Sequence, residues 1–156
     1  MRSLPDKAFP IFVTEALKKF DLIGDRWFFA ITESVAMEAD STVWWVFEEL
    51  ANIGARLVID DFGRGFSNLA RLRGFPFVAI KIDCNFIRNL PNSPKDPAIF
   101  RAMHVIAKEL DLETVAEGIE TAKQEEFVSR FGVDYFQEYR FGHPMPVDKL
   151  KRYTRH

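Results

Sequence analysis

The chain has 156 residues, of which 47% are hydrophobic and 28% charged, with a formal net charge of −2. This composition excludes a disordered chain and a general attraction to nucleic acid polymers or anionic membranes, and the length fits a single domain over residues 1–156. The single cysteine, Cys84, forms no intrachain disulfide, and no apolar run approaches the ~18–20 residues of a membrane span, so we expect a cytoplasmic protein with no membrane segment.

Helices and strands are predicted to alternate through the first half of the chain. Apolar residues at helical spacing predict a helix over 9–20, followed by a strand over 27–31. Asp40 or Ser41 can cap a second helix that Gly54 ends. The elements that follow are a strand over 56–60, a short helix over 68–72 and a strand over 78–82.

The second half of the chain continues the alternation. The predicted elements are a proline-rich loop over 91–97, a helix with Ile99, Met103, Ile106 and Leu110 on one face, a strand over 114–117, a helix opened by a Thr121–Gln124 capping box, a strand over 133–137 and a helical turn over 150–153. This order predicts an α/β fold with about five parallel strands and right-handed crossovers. A complete eight-stranded barrel needs at least ~200 residues, so periodicity leaves an open doubly wound sheet or part of a barrel.

Polar side chains follow the predicted strands. Asp60 and Asp61 end the second strand, Lys81 the third, Glu117 the fourth and Gln137 the fifth. Two carboxylates about 4 Å apart repel by roughly 4 kcal/mol at an effective dielectric of 20, so the acid pair calls for a nearby cation, a retained proton or water. Because parallel strands end at one edge of the sheet, we expect these groups to form a site there.

Several motifs, in the same order, make the sequence similar to the EAL family. The motifs are Ile31-Thr32-Glu33-Ser34, Asp60-Asp61-Phe62-Gly63-Arg64-Gly65-Phe66-Ser67-Asn68-Leu69, Lys81-Ile82-Asp83, Val115-Ala116-Glu117-Gly118-Ile119-Glu120-Thr121 and Phe141-Gly142-His143-Pro144-Met145-Pro146. The resemblance implies a modified TIM barrel and a bacterial phosphodiesterase that opens cyclic di-GMP to linear pGpG with two divalent cations. The family's Glu-Ala-Leu signature has no counterpart here, so we expect an amino-terminally truncated, partial TIM-like barrel that lacks the first strands.

The resemblance also implies roles for the strand-end residues. Asp60 would bridge the two cations, and Asp61 and Glu117 would bind the second. Mg²⁺ or Mn²⁺ suits such ligands, because both ions prefer hard oxygen donors. Lys81 would hold the attacking water and Gln137 would help to position the site, so Lys81, Glu117 and Gln137 are the candidate catalytic residues. The alternative for Lys81 is a structural ion pair with Asp60 or Glu117. Glu33 would anchor the loop from Asp61 to Asn68 rather than bind a metal ion.

Three positions depart from the family pattern. Ala30 stands where the family has a metal-binding glutamate, and a methyl group cannot coordinate a cation. Arg64 replaces a small polar residue, and Glu138 replaces the glycine that normally follows Gln137. We therefore expect one cation or none rather than a two-metal centre.

Three hypotheses about function follow. The first is an EAL-related signalling domain with little or no hydrolysis, which binds cyclic di-GMP or a protein as a regulator; the second is an active metal-dependent phosphodiesterase. The third is a phospho-receiver domain, although its acid pair should follow the first strand rather than the second. A partial barrel also exposes sheet edges, so we expect a protein partner or a second copy of the chain.

Overall fold

Five parallel strands form one sheet in the computed structural model, which describes residues 7–22, 24–65, 69–90, 95–137 and 145–146. The strands are β1 Phe28–Thr32, β2 Arg56–Phe62, β3 Phe77–Ile82, β4 Glu113–Glu117 and β5 Tyr135–Gln137. The prediction of a parallel α/β fold with five strands is confirmed.

The strand order is β1-β2-β3-β4-β5, so every strand pairs with the next one along the chain. With crossovers of one hand, this order places the connecting helices on the same face of the sheet, as in a (β/α) barrel. A doubly wound sheet reverses its strand order, and a phospho-receiver domain has the order 2-1-3-4-5. The fold is therefore part of a TIM-like barrel, and the phospho-receiver hypothesis is wrong.

Two helices begin where the sequence predicted a cap. The described α-helices are α1 Ala8–Lys19, α2 Glu33–Met37, α3 Ser41–Asn52, α4 Leu69–Leu72, α5 Cys84–Arg88, α6 Asp96–Glu109 and α7 Ala122–Ser129. Asp40 caps α3 by accepting hydrogen bonds from the amides of Thr42 and Val43. The predicted capping box of Thr121 and Gln124 opens α7. Among the described residues, no helix has the length and apolar character needed to cross a lipid bilayer.

Some predicted boundaries are wrong. The second strand does not end at Asp60 but continues to Phe62. Pro97 lies in the first turn of α6 rather than in a loop, a position where proline's missing N–H costs no helical hydrogen bond. The predicted face of α6 is also displaced, because Ile99 is 43% exposed whereas His104 is 7% exposed. The predicted helical turn over 150–153 and residue Glu138 lie outside the described residues.

The two faces of the sheet differ in character. The face toward the helices carries the core of the molecule, which includes Ile31, Leu57, Ile59, Ile80, Ile82 and Ala116. The residues of the opposite, inner face follow from the alternation of side chains along each strand and from the strand register. They are Phe28, Ala30, Thr32, Arg56, Val58, Asp60, Ala79, Lys81, Glu113, Val115, Glu117, Tyr135 and Gln137. Phe28 on the outer strand β1 is 52% exposed. The prediction of a protein partner or second copy stays a prediction.

Candidate functional site

The inner face brings the predicted strand-end residues to one edge of the sheet. Strand β1 pairs Thr32 with Asp60, and β4 pairs Glu117 with Gln137. Lys81 lies on β3 between the strands that carry Asp60 and Glu117. The carboxyl ends of β2, β3, β4 and β5 therefore meet, as the sequence predicted.

Lys81 holds two of these strand ends together. Its Nζ atom donates to Asp60 Oδ1 at 2.9 Å and forms a close ion pair with Glu117 Oε1. The lysine side chain is 13% exposed, and its partners Asp60 and Glu117 are 27% and 18% exposed. Burial lowers the pKa of Lys81, but the hydrogen bonds and charges of Glu117 and Asp60 outweigh it, so the net pKa is raised. Lys81 is thus a fixed ammonium and not a proton acceptor at neutral pH.

Asp61 pairs with a different basic side chain from Asp60 and has an unusual backbone conformation. Its φ is 55°, in the left-handed region, and its amide donates to Asp60 Oδ1 at 3.1 Å. Arg64 Nη1 donates to Asp61 Oδ1 at 3.2 Å. The adjacent acids therefore carry separate counter-ions, Lys81 for Asp60 and Arg64 for Asp61. Of the three ways to tolerate the acid pair, the structure uses nearby cations.

Arg64 also contacts an acid that the sequence did not single out as a site residue. Its Nε atom lies 3.4 Å from Oδ2 of Asp83, whose side chain is 4% exposed. Asp83 is held at the start of α5, where its Oδ1 accepts from the Asn85 amide at 2.9 Å. The signals available for Asp83 were its place in the Lys81-Ile82-Asp83 motif and its position at the end of the third predicted strand.

The loop after β2 is fixed by Glu33, which is 3% exposed. Glu33 Oε2 accepts hydrogen bonds from the amides of Gly63 and Gly65, each at 3.0 Å. Gly63 has a φ of 99°, and a Cβ there would lie 2.7 Å from the Phe86 ring and 2.8 Å from Met103 Sδ. Only glycine fits this turn, which carries the backbone from the acid pair past Glu33. These contacts support the prediction that Glu33 anchors the loop, which stays a prediction.

The outer strands contribute less to the site. Gln137 ends β5 with an exposed side chain. Ala30 lies on the inner face of β1, paired with Val58 and one inward-facing position before Thr32. Its methyl group offers no ligand, donor or charge beside Asp60.

The donor chemistry of this edge is compatible with a divalent cation. Four acids, Asp60, Asp61, Asp83 and Glu117, share two basic side chains, Lys81 and Arg64, so the group keeps a formal net charge of −2 although each acid contacts a basic side chain. Carboxylate oxygens are the ligands that Mg²⁺ and Mn²⁺ prefer. Within the described ranges, however, no three His, Cys, Asp or Glu side chains come together in a metal-binding arrangement. A cation at this edge has to compete with the bound ammonium and guanidinium groups.

Comparison with known proteins gives consistent matches. A family model described as EAL domain matches residues 1–144. The chain is 36% identical over 123 residues to the cyclic di-GMP phosphodiesterase PdeR of Escherichia coli, covering 79% of this chain and 19% of PdeR. The chain therefore spans about a fifth of the length of that curated relative.

Solved structures match the fold as well. A cyclic di-GMP complex of the MucR phosphodiesterase of Pseudomonas aeruginosa has a TM-score of 0.86 and 35% identity, covering 92% of this chain and 58% of that one. A manganese and cyclic di-GMP complex of Klebsiella pneumoniae BlrP1 has a TM-score of 0.82 and 27% identity, covering 89% of this chain and 36% of that one.

Proposed function

The chain belongs to the EAL domain family, and we propose that residues 1–156 form a single cytoplasmic EAL-type signalling domain that binds cyclic di-GMP with little or no hydrolysis. Its relatives support a relationship to cyclic di-GMP phosphodiesterases. The chemistry of the inner face supports binding without turnover, as expected of a regulator.

The observation that carries the proposal is the methyl group of Ala30 on the inner face of β1. A two-metal phosphodiesterase uses one cation to activate water and a second to stabilise the leaving oxygen, about 3.5–4 Å apart. By resemblance to the family, position 30 would carry a ligand of the first cation, and alanine cannot supply one. If one cation binds near Asp60, Asp61 and Glu117, the other cation that this mechanism requires lacks its full set of ligands.

Mg²⁺ or Mn²⁺ is the cation that we propose for this edge, as a single ion. When bound, it would neutralise carboxylate charge and attract a phosphate oxygen of the nucleotide. Asp60, Asp61 and Glu117 would hold it, because their oxygens are the hard donors at the strand ends.

Lys81 orients rather than reacts. Its ammonium is committed to Asp60 and Glu117, and its raised pKa keeps it protonated. It can donate a hydrogen bond to water or to a phosphate oxygen, but it cannot accept the proton of an attacking water. Glu117 could accept one only after leaving the ion pair with Lys81.

The decisive experiment measures binding and turnover separately in the full chain. Calorimetry with cyclic di-GMP, with and without Mn²⁺, reports binding, and chromatography of the same mixtures reports linear pGpG. We expect binding that Mn²⁺ strengthens and no product above the buffer control. Sustained pGpG formation would contradict the proposal and favour the alternative, an active phosphodiesterase.

A gain-of-function variant sharpens the test. Ala30→Glu restores a carboxylate on the inner face, so we expect tighter Mn²⁺ binding and the appearance of pGpG. Ala30→Gln is the matched control, because it has nearly the same size without the charge. Equal behaviour of the two variants would show that a missing ligand at position 30 is not what limits turnover. Any activity should disappear in Asp61→Asn if this site is responsible.

A further inference from the structure

Arg64 is the exposed basic side chain of the site. It is 56% exposed, it lies in the loop after β2, and it bridges two carboxylates. Nη1 lies 3.2 Å from Asp61 Oδ1, and Nε lies 3.4 Å from Asp83 Oδ2. A guanidinium with five donors in a planar fork suits such a bridge.

Loop anchoring does not require this bridge. Glu33 already holds the loop through the amides of Gly63 and Gly65, at 3.0 Å each, and it is almost fully buried. Asp83 is independently held by the Asn85 amide at the start of α5. What Arg64 alone supplies is a positive charge on the Asp61 carboxylate.

That charge lies beside the Asp61 carboxylate, which would be a ligand of a divalent cation. The guanidinium engages one of the carboxylate oxygens, and its charge repels any cation that approaches the other. Lys81 acts similarly on Asp60 and Glu117, but its side chain is only 13% exposed and is tied to two strands. Arg64 can release Asp61, because both side chains of that ion pair are more than a third exposed.

We propose that Arg64 is a positioning residue that competes with divalent cations for Asp61 and so sets the metal affinity of the site. The inference deepens the proposed function, because it concerns the same carboxylates. Metal enters when the guanidinium releases Asp61. A second anionic group that captures the released guanidinium, such as a phosphate of the bound nucleotide, would then favour metal binding.

The test measures Mn²⁺ alone, by the electron paramagnetic resonance signal of the free ion and by calorimetry, in the full chain. Arg64→Ser should bind Mn²⁺ about tenfold more tightly than the unaltered chain, a change equivalent to about 1.4 kcal/mol. Arg64→Gln should show the same gain, whereas Arg64→Lys, which keeps the charge, should stay close to the unaltered chain. Thermal unfolding of each variant confirms that it is folded.

Two controls separate local competition from general charge. Arg130→Ser removes an equal charge from an exposed pair with Glu126, far along the chain at the carboxyl-terminal cap of α7, and should leave Mn²⁺ affinity unchanged. In an Asp61→Asn background, Arg64→Ser should give no gain, because the double-mutant cycle removes the shared partner.

Four results would each overturn the inference. Two are equal Mn²⁺ affinity in Arg64→Ser and the unaltered chain, and a gain in Mn²⁺ affinity in Arg130→Ser or Arg64→Lys equal to that of Arg64→Ser. The other two are a gain in affinity that persists in the Asp61→Asn background, and no Mn²⁺ binding in Arg64→Ser. Loss of stability without a change in affinity would identify Arg64 as a loop anchor instead. None of these outcomes depends on turnover, so pGpG formation by the unaltered chain would refute the proposed function and leave this inference standing.

Discussion

Replacing Lys81 by methionine should destabilise the protein through the acids that it leaves behind. Lys81 Nζ lies 2.9 Å from Asp60 Oδ1 and also pairs with Glu117, so the two carboxylates face each other across about 5 Å. At an effective dielectric of 20, two such charges repel by about 3 kcal/mol. Because the partners are 27% and 18% exposed, water relieves part of this repulsion. We expect Lys81→Met to lower the free energy of unfolding by about 1–3 kcal/mol.

Urea denaturation at neutral pH, followed by circular dichroism, measures this loss. A loss of 2 kcal/mol corresponds to about 4–8 °C in melting temperature for a chain of this size. Lys123→Met removes an exposed lysine from α7 and should change stability by less than about 0.5 kcal/mol. In the double variant Lys81→Met with Glu117→Gln, much of the loss should be recovered, because one of the repelling charges is gone.

The pH dependence provides a second check on the same pair. The pKa of Lys81 is raised in the folded protein, so the folded state holds its proton more tightly than the unfolded chain. This stabilisation is complete below the unfolded pKa, about 10.4, and is lost as the pH rises through the folded value. The stability difference between the unaltered chain and Lys81→Met should therefore narrow at alkaline pH. A variant as stable as the unaltered chain at neutral pH would refute this account of the pair.

Three further predictions concern the loop and the core. Glu33→Gln should cost about 1.5–3 kcal/mol by weakening charge-assisted hydrogen bonds, and hydrogen exchange at the Gly63 amide should accelerate; unchanged exchange would contradict the anchoring contact. Gly63→Ala should cost about 2–4 kcal/mol in urea denaturation, because the added Cβ meets packed side chains, whereas Gly132→Ala, at φ 72° with nothing within 4 Å, should cost only about 1 kcal/mol. Burial, followed by the charge of Lys108, lowers the pKa of His104, so stability should fall as the pH drops below about 6.5, and His104→Gln should flatten that part of the profile.

Local signals predicted the fold well because each strand and cap depends on neighbours in the sequence. The Asp40 cap and the Thr121–Gln124 box each need only three or four residues, and both are present. The convergence of Asp60, Lys81 and Glu117 followed from parallel strands alone. Helices α2, Glu33–Met37, and α5, Cys84–Arg88, were missed because five residues are too few for a helical period.

The pairing of Arg64 with Asp61 and Asp83 could not be predicted from the sequence. It depends on the left-handed backbone of Asp61, at φ 55°, and on the turn at Gly63. That geometry directs Asp61 toward Arg64 and brings Arg64 to Asp83. Such contacts arise from tertiary packing across a loop, which neither periodicity nor composition encodes.

The two basic side chains of the site, Lys81 and Arg64, differ in how easily a metal ion can displace them. Moving Lys81 away would break ion pairs to both β2 and β4, in a place where its side chain is only 13% exposed. Releasing Asp61 from Arg64 exchanges a contact of 3.2 Å for hydration of two side chains that are already 56% and 38% exposed. Exposed pairs of this kind contribute about 0–1 kcal/mol, whereas breaking a buried pair costs several times more. A single cation should therefore enter on the Asp61 side, where displacing the guanidinium costs least, and Lys81 should remain in place as the second positive charge.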